Sequence, residues 1–186
     1  MATYFTETKD TRPIKLFFED EARFGRINVL GKCWVPPKQR AIVEQQIIRE
    51  YTYAYTCVCP ETGENYSIIS PVNNTEAMNV FLKETGQAYK HYRIIMCLDG
   101  AGWHTSNNLK LPENIQLLKL PPYSPELNPT EHVWDYIREQ KKFNKHTFTS
   151  IGKVEIQLAK ALKEIYTEYS VIKSMCNFEW LNIVPC

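Results

Sequence analysis

The sequence predicts an α/β domain with a mixed β-sheet flanked by helices. Three observations predict it. Early segments rich in β-branched and aromatic residues are separated by turn residues, as in antiparallel strands. Arg93–Leu98 (RIIMCL) is a short apolar run without alternation, the pattern of a strand covered on both faces. Segments with helical period appear only from residue 73 onward, one before that run and two near the end.

The elements follow in order. Ile14–Asp20 has phenylalanines and no helical period, so it reads as a strand with residues 14, 16, 18 and 20 on one face. Gly25, Asn28 and Gly31 mark turns, a short strand is expected near Cys33-Trp34-Val35, and Arg40–Val43 extends the sheet. Tyr51–Cys59 and Tyr66–Ser70, joined by Pro60–Asn65, read as an antiparallel hairpin. Asn73 with Glu76 three residues later has the spacing of a capping box, and Ala77, Val80, Phe81 and Ala88 trace a helical stripe. Strands at Arg93–Leu98 and Asn114–Leu120 are expected to pair in parallel through right-handed crossovers. Glu131 to about Lys142 and Ser150 to about Tyr169 complete the chain as helices, the second with the stripe Ile151, Val154, Leu158, Ala161, Leu162, Ile165 and Tyr169.

Composition bounds the function. At 186 residues with 44% hydrophobic and 12% aromatic content, the chain has the makings of one domain with its own core, and disorder is excluded. No apolar run reaches the roughly 18 residues of a membrane span, and Met1–Arg12 has no signal-peptide core, so a cytoplasmic protein with no membrane contact is expected. A net charge of +1 excludes binding to nucleic acid by bulk charge; any such contact comes from local basic patches. The six cysteines form no C-x-x-C pair and no zinc spacing with the four histidines. Cys57, Cys59 and Cys97 sit in strand-like runs, where a thiol acts as a small hydrophobe, and reduced thiols are expected throughout.

Three acids stand at element termini: Asp20 at the end of the first strand, Asp99 at the end of the buried one, Glu131 at the start of a helix. Each has an ordinary reading. Asp20 lies in a charge cluster, Asp99 can form a turn before Gly100, and Asn128-Pro129-Thr130-Glu131 has the composition of a helix cap. As a set without cysteine or histidine partners, they form an oxygen-ligand group suited to Mg2+ or Mn2+. Two such ions about 4 Å apart serve in-line phosphoryl transfer.

Three blocks then match a known family: Glu19–Phe24 (EDEARF), Leu98–His104 (LDGAGWH) and Leu120–Trp134 (LPPYSPELNPTEHVW). In this order they resemble the DDE catalytic domain of mariner-superfamily transposases, in the bacterial insertion-sequence branch; the third block is the most specific. The resemblance covers roughly residues 14 to 142. It implies a ribonuclease H-like fold over 14–186 after an N-terminal extension at 1–13, two Mg2+ or Mn2+ ions, and DNA cleavage and strand transfer. Asp20, Asp99 and Glu131 are carried over as the catalytic and metal-binding acids; Glu126 is not. Glu21, His104 and Asn128 fall in supporting positions, with His104 placed to contact DNA or to orient a water at the metals, against the ordinary and slightly favoured reading of a surface or hydrogen-bonded histidine. Tyr123 and Pro121-Pro122 shape the loop presenting Glu131, and Trp134 reads as core. Two departures from the family pattern are Gly100, where asparagine is usual, and a shorter interval from Asp99 to Glu131.

The resemblance implies DNA as partner: transposon ends and a target, expected at a TA dinucleotide, in a nucleoid-associated setting. Arg138, Lys141, Lys142 and Lys145 form a basic run that can follow a DNA backbone. Nineteen residues precede Asp20, too few for a helix-turn-helix reading head, so a separate or fused DNA-reading partner is expected. A synapse would need two active sites, which makes a homodimer plausible on sequence grounds. The alternatives are a ribonuclease H-like nuclease acting on other nucleic acids and an inactive transposase remnant serving as a DNA-binding module.

Overall fold

Five strands make one sheet in the order β3-β2-β1-β4-β5. They are β1 (Ile14–Ile27), β2 (Ile47–Val58), β3 (Asn65–Ser70), β4 (Arg93–Leu98) and β5 (Ile115–Lys119). The helices are α1 (Thr75–Ala88), α2 (Thr130–Gln140), α3 (Ile151–Ile165) and α4 (Tyr169–Cys176). The computed structural model describes residues 10–28, 34–40, 42, 45–104, 106–140, 143 and 146–183, the side chains of 103, 182 and 183 excepted. β1 pairs antiparallel with β2, and β2 with β3, while β4 runs parallel to both β1 and β5. This is the expected mixed sheet, with antiparallel strands first and parallel strands after. Of the two parallel connections, the one from β3 to β4 runs through α1. The one from β4 to β5, broken by Gly100, Gly102 and Pro112, carries only a 3-10 turn at Gly102–His104 among its described residues.

Strand alternation sorts side chains onto two faces. On β1, Phe18, Ala22 and Phe24 pack with Cys97 of β4, Trp134 and Ile137 of α2, and Val154, Leu158 and Ile165 of α3. Phe17 faces the other way, joining Tyr55, Cys57, Ile94, Met96, Met78, Phe81 and Leu82 beneath α1. β4 is buried at all six positions, as its unalternating run predicts for a strand covered on both sides. Burial of each large aliphatic side chain in these layers contributes about 1.5–3 kcal/mol. Cys57, Cys59, Cys97 and Cys176 are buried free thiols. Burial raises the thiol pKa of Cys97 and Cys176 to about 12, which suits packing rather than reactivity. Cys33 and Cys186 lie outside the described residues.

The structure corrects several boundaries. β1 does not stop at Asp20 but runs through Gly25, where the sequence suggests a turn. The register shifts between Gly25 and Arg26, a bulge, and a Cβ on Gly25 would lie 2.4 Å from the Tyr51 ring. The glycine therefore marks close strand approach, not a chain reversal. No strand forms at Trp34-Val35 or at Arg40 and Ile42; Cys33, Ala41 and Val43 lie outside the described residues. β2 instead begins at Ile47, four residues before the expected start. α1 is capped by Asn74, whose Oδ1 accepts from the Ala77 amide at 2.9 Å, so Asn73 is not the cap. Asn73 accepts the Tyr55 hydroxyl instead. The last expected helix stops short of Tyr169, with α3 ending at Ile165, and a further helix the sequence reading does not include, α4, starts at Tyr169.

The start of α2 is tied to the middle of β1. Buried Asn128 donates from Nδ2 to the Glu19 carbonyl at 2.9 Å and accepts the Thr130 amide on Oδ1 at 3.2 Å. The Thr130 hydroxyl donates to the Phe18 carbonyl at 2.8 Å. Both are buried side-chain bonds to backbone at the point where β4 leaves off and β1 continues. Thr130→Val keeps the shape and removes the donor. It is expected to lower unfolding stability by about 1–2 kcal/mol in a urea titration; an unchanged midpoint would show that this tether carries nothing.

Candidate active site

The β1–β4 ladder ends with Phe18 opposite Cys97. Two residues beyond that pair stand Asp20, still in β1 and on the face of Phe18 by alternation, and Asp99, directly after β4 ends at Leu98. This is the carboxyl end of the parallel pair, where sites form in open α/β sheets. Asp20 remains in β1, paired on its other edge to Thr56 of β2.

Asp20 points toward α2. Its Oδ2 accepts the indole N–H of Trp134 at 2.9 Å. Trp134 is 1% exposed, so it is a core residue as expected, but its N–H also aims a carboxylate, which sequence reasoning missed. A buried indole N–H needs an acceptor, and that requirement is the signal that could have found this contact. Burial raises the Asp20 pKa to about 7, helped by the charges of Glu131 and Glu21; Trp134 and the Glu21 backbone oppose the shift.

Glu131 is exposed in the first turn of α2, one turn before Trp134 on a neighbouring face. The helix-cap reading of Asn128 holds only for its own side chain. A reciprocal box would take the Asn128 N–H to the Glu131 carboxylate, but that N–H is donated to the Pro125 carbonyl at 2.8 Å. Tyr123, fully exposed with a φ of 58°, shapes the loop before Pro125.

Asp99 turns differently. Its side chain is 60% exposed and its Oδ1 lies 2.9 Å from Nδ1 of His104. Oδ1 also accepts the Ala101 amide at 2.9 Å. His104 is 3% exposed, so it is not the surface residue the sequence allows but the hydrogen-bonded one. Its Nε2 is 3.0 Å from Glu21 Oε1 and 3.7 Å from Glu19 Oε2. Hydrogen bonds and charge from Glu21 and Asp99 raise its pKa against the opposing effect of burial.

Among the described residues, the group whose ligand atoms lie within 4.8 Å of one another is Glu19, Glu21 and His104, not the three acids read from the sequence. The structure brings Asp20 into the field of Glu131, and Asp99 onto His104. Glu19 was read only as part of a solvated charge cluster. It is 1% exposed, and burial with the charges of Glu21, Asp20 and Asp99 pushes its pKa well above the usual carboxylate value. A charge cluster on a central strand cannot be solvated on both faces, but the central place of β1 follows from the strand order, which no local pattern announces.

The basic run is less clearly drawn. Arg138 is partly buried, 3.8 Å from Asp135 and stacked over Phe24 at 5.6 Å. Lys141, Lys142 and Lys145 lie outside the described residues.

The acids fit a divalent cation on their own chemistry. Asp20 is half-buried, surrounded by like charge and given only neutral donors, the Trp134 indole and the Glu21 backbone, so the site lacks positive charge that a hard oxygen-liganded ion would supply. No helix among the described residues is long and apolar enough to cross a membrane.

A sequence profile described as DDE superfamily endonuclease matches residues 15–154. The Sinorhizobium fredii (strain NBRC 101917 / NGR234) protein y4pE/y4sA, itself described as uncharacterized, is 42% identical over 90 residues, which are 48% of this chain and 67% of that one. A pre-cleavage Mos1 transpososome superposes with a TM-score of 0.62 at 16% identity, covering 88% of this chain and 56% of that one. A Mos1 mariner paired-end complex with Mn gives 0.61 at 17% identity, covering 88% and 56%. At such identities the likeness is one of fold, and the chain spans just over half the length of those structures.

The raised pKa of Asp20 has a sign that can be checked. Without metal, between pH 4 and 7 the folded chain holds a proton there that the unfolded chain, with the ordinary carboxyl value of 3.8, has released. Folding stability from this group is therefore greatest below pH 4 and falls as pH rises toward 7. Asp20→Asn should remove that fall, leaving the metal-free variant about 2 kcal/mol more stable than the parent at pH 8 and no more stable at pH 4. Chemical denaturation at the two pH values measures it; parallel curves for parent and variant would refute it.

Proposed function

The chain belongs to the DDE superfamily endonucleases, and on that premise we propose that it is the catalytic domain of a transposase, with Asp20, Asp99 and Glu131 holding two Mg2+ or Mn2+ ions. The observation that carries this reading is the parallel register. It sets Asp20 and Asp99 two residues past the Phe18–Cys97 pair, while α2 brings Glu131 close enough for its charge to raise the Asp20 carboxyl.

The reaction is hydrolysis followed by transfer. The oxygen of a water forms a bond to a phosphodiester phosphorus as the bond to the 3′ oxygen breaks, freeing a 3′-hydroxyl. That hydroxyl then attacks a phosphodiester of target DNA, expected at a TA dinucleotide, displacing another 3′ oxygen. Bound divalent ions supply the Lewis acid that polarises the phosphoryl group and stabilises the attacking and leaving oxygens. The chain's part is placement. Trp134 fixes the Asp20 carboxylate, His104 turns the Asp99 carboxylate, and Asn128 and Thr130 hold the end of α2 that carries Glu131 against β1. Such fixed geometry contributes much of the rate in phosphoryl transfer.

The partners belong to the same proposal. DNA would be followed by the basic run from Arg138, with Lys141, Lys142 and Lys145 completing it. A helix-turn-helix segment, fused or separate, would read the transposon ends, and two copies would form the synapse on nucleoid DNA. The domain division at residue 14 and the supporting roles of Glu21, His104 and Asn128 also stand as proposals.

Asp20→Asn, Asp99→Asn and Glu131→Gln should each lower Mg2+-dependent cleavage of a DNA duplex by at least about a hundredfold, with circular dichroism unchanged. Glu126→Gln should cleave at the parental rate. Full cleavage by the Asp99 variant would overturn the assignment, and cleavage confined to RNA in a hybrid would move the chain to another ribonuclease H-like activity.

A further inference from the structure

A second group of acids lies on the opposite side of β1. Glu19 and Glu21 alternate with Asp20 and so share the face beneath α1 with Phe17. The 3-10 turn Gly102–His104 delivers His104 to them. The side chains of Glu19, Glu21 and His104 are 0%, 6% and 1% exposed. Glu21 and His104 meet at 3.0 Å, but both carboxylate oxygens of Glu19 are buried without a hydrogen-bond partner. One oxygen faces His104 Nε2 at 3.7 Å, beyond hydrogen-bond reach. A buried carboxylate with no donor must be neutralised by a proton or by a cation.

We propose that Glu19, Glu21 and Nε2 of His104 form a second metal site, distinct from the one assigned to Asp20, Asp99 and Glu131, that takes a first-row transition ion such as Zn2+ or Mn2+. Three observations support a metal over a lone proton. The three ligand atoms lie within 4.8 Å of one another. Two carboxylates and an imidazole leave the site short of positive charge even with the imidazole protonated, and Asp99 adds a third acid. The second ring nitrogen is already engaged: Nδ1 faces the Asp99 carboxylate at 2.9 Å and the Asp99 carbonyl at 3.2 Å. Metal-bound histidines characteristically donate their other N–H to a carboxylate in this way, which fixes the tautomer and the ring. The imidazole ligand selects against Mg2+ and Ca2+, which prefer all-oxygen sets.

The consequence is a positioning role. An ion at Nε2 would lock the His104 ring, and Nδ1–H would then hold the Asp99 carboxylate in place at the mouth of the proposed active site. The metal-binding half of the inference stands without the transposase reading; the positioning half rests on it.

The test uses the full chain carrying Asp20→Asn and Glu131→Gln, which removes two of the three proposed catalytic acids and leaves this cluster whole. Calorimetric titration with Zn2+ and with Mn2+ is expected to find one ion per chain, and with Mg2+ at least about a hundredfold weaker binding. Adding Glu19→Gln, or separately His104→Gln, should weaken Zn2+ binding at least about a hundredfold, more than the loss of an outer partner costs. The Mn2+ form should show nitrogen coupling in pulsed electron paramagnetic resonance, lost in the His104 variant and kept in the Glu19 variant at saturating metal. Circular dichroism confirms that each variant folds; if Glu19→Gln does not, Glu21→Gln takes its place. Absence of Zn2+ and Mn2+ binding in the Asp20/Glu131 background overturns the site, while parental binding of Mg2+ at the other acids would leave the proposed function standing. Binding that survives the Glu19 and His104 replacements overturns it equally.

Discussion

Three consecutive acids on the central strand of the sheet are the constraint around which the molecule is arranged. β1 lies between β2 and β4, with helices over both faces, so Glu19-Asp20-Glu21 cannot be solvated as a surface cluster would be. Strand alternation sends the middle acid toward α2 and its two neighbours toward α1. Each side must then meet the same cost, burial of like charge in a medium of low polarisability. The raised pKa values of Glu19 and Asp20 state that cost directly. A protein that keeps such a strand at its centre has a use for the charge, since apolar residues there would give a more stable sheet.

The surrounding structure answers the constraint on each face with different groups. Toward α2, Asp20 receives a neutral donor, the Trp134 indole, and an added acid, Glu131. That combination worsens the charge while fixing the geometry, which is the arrangement the proposed cation would relieve. Toward α1, His104 supplies a titratable partner between Glu21 and Asp99. The helix that carries Glu131 is held by side-chain bonds to the carbonyls of Phe18 and Glu19, the residues just before Asp20. The third acid is therefore placed relative to the first by a buried contact a few bonds away, not by the long loop between β5 and α2.

Much of this was legible in the sequence because it rests on periodicity. The apolar run of β4, the hairpin of β2 and β3, and the stripe of α3 all have the pattern their burial demands, and the ends of β4 and the start of α2 located Asp99 and Glu131. What was not legible depends on neighbours distant in sequence. Gly25 reads as a turn because nothing local announces that Tyr51 will press against it. Asn73 and Asn74 compete as caps, and the Tyr55 hydroxyl decides by occupying Asn73. Glu19 reads as solvated because the strand order, which places β1 in the middle, is a property of the whole sheet.

Asp99 is tied through His104 to the acids beneath α1, and that contact links the end of β4 to the middle of β1. It follows β4 directly, and its carboxylate rests on His104, which reaches Glu21. Any change in charge at Glu21 or His104 is therefore felt at a carboxylate of the proposed active site through two contacts, without passing through the packed core. A tight turn rich in glycine and alanine between Asp99 and His104 keeps the two within five residues, so the coupling is local in sequence. The shortness of that turn is what ties the end of β4 to Glu21 of β1.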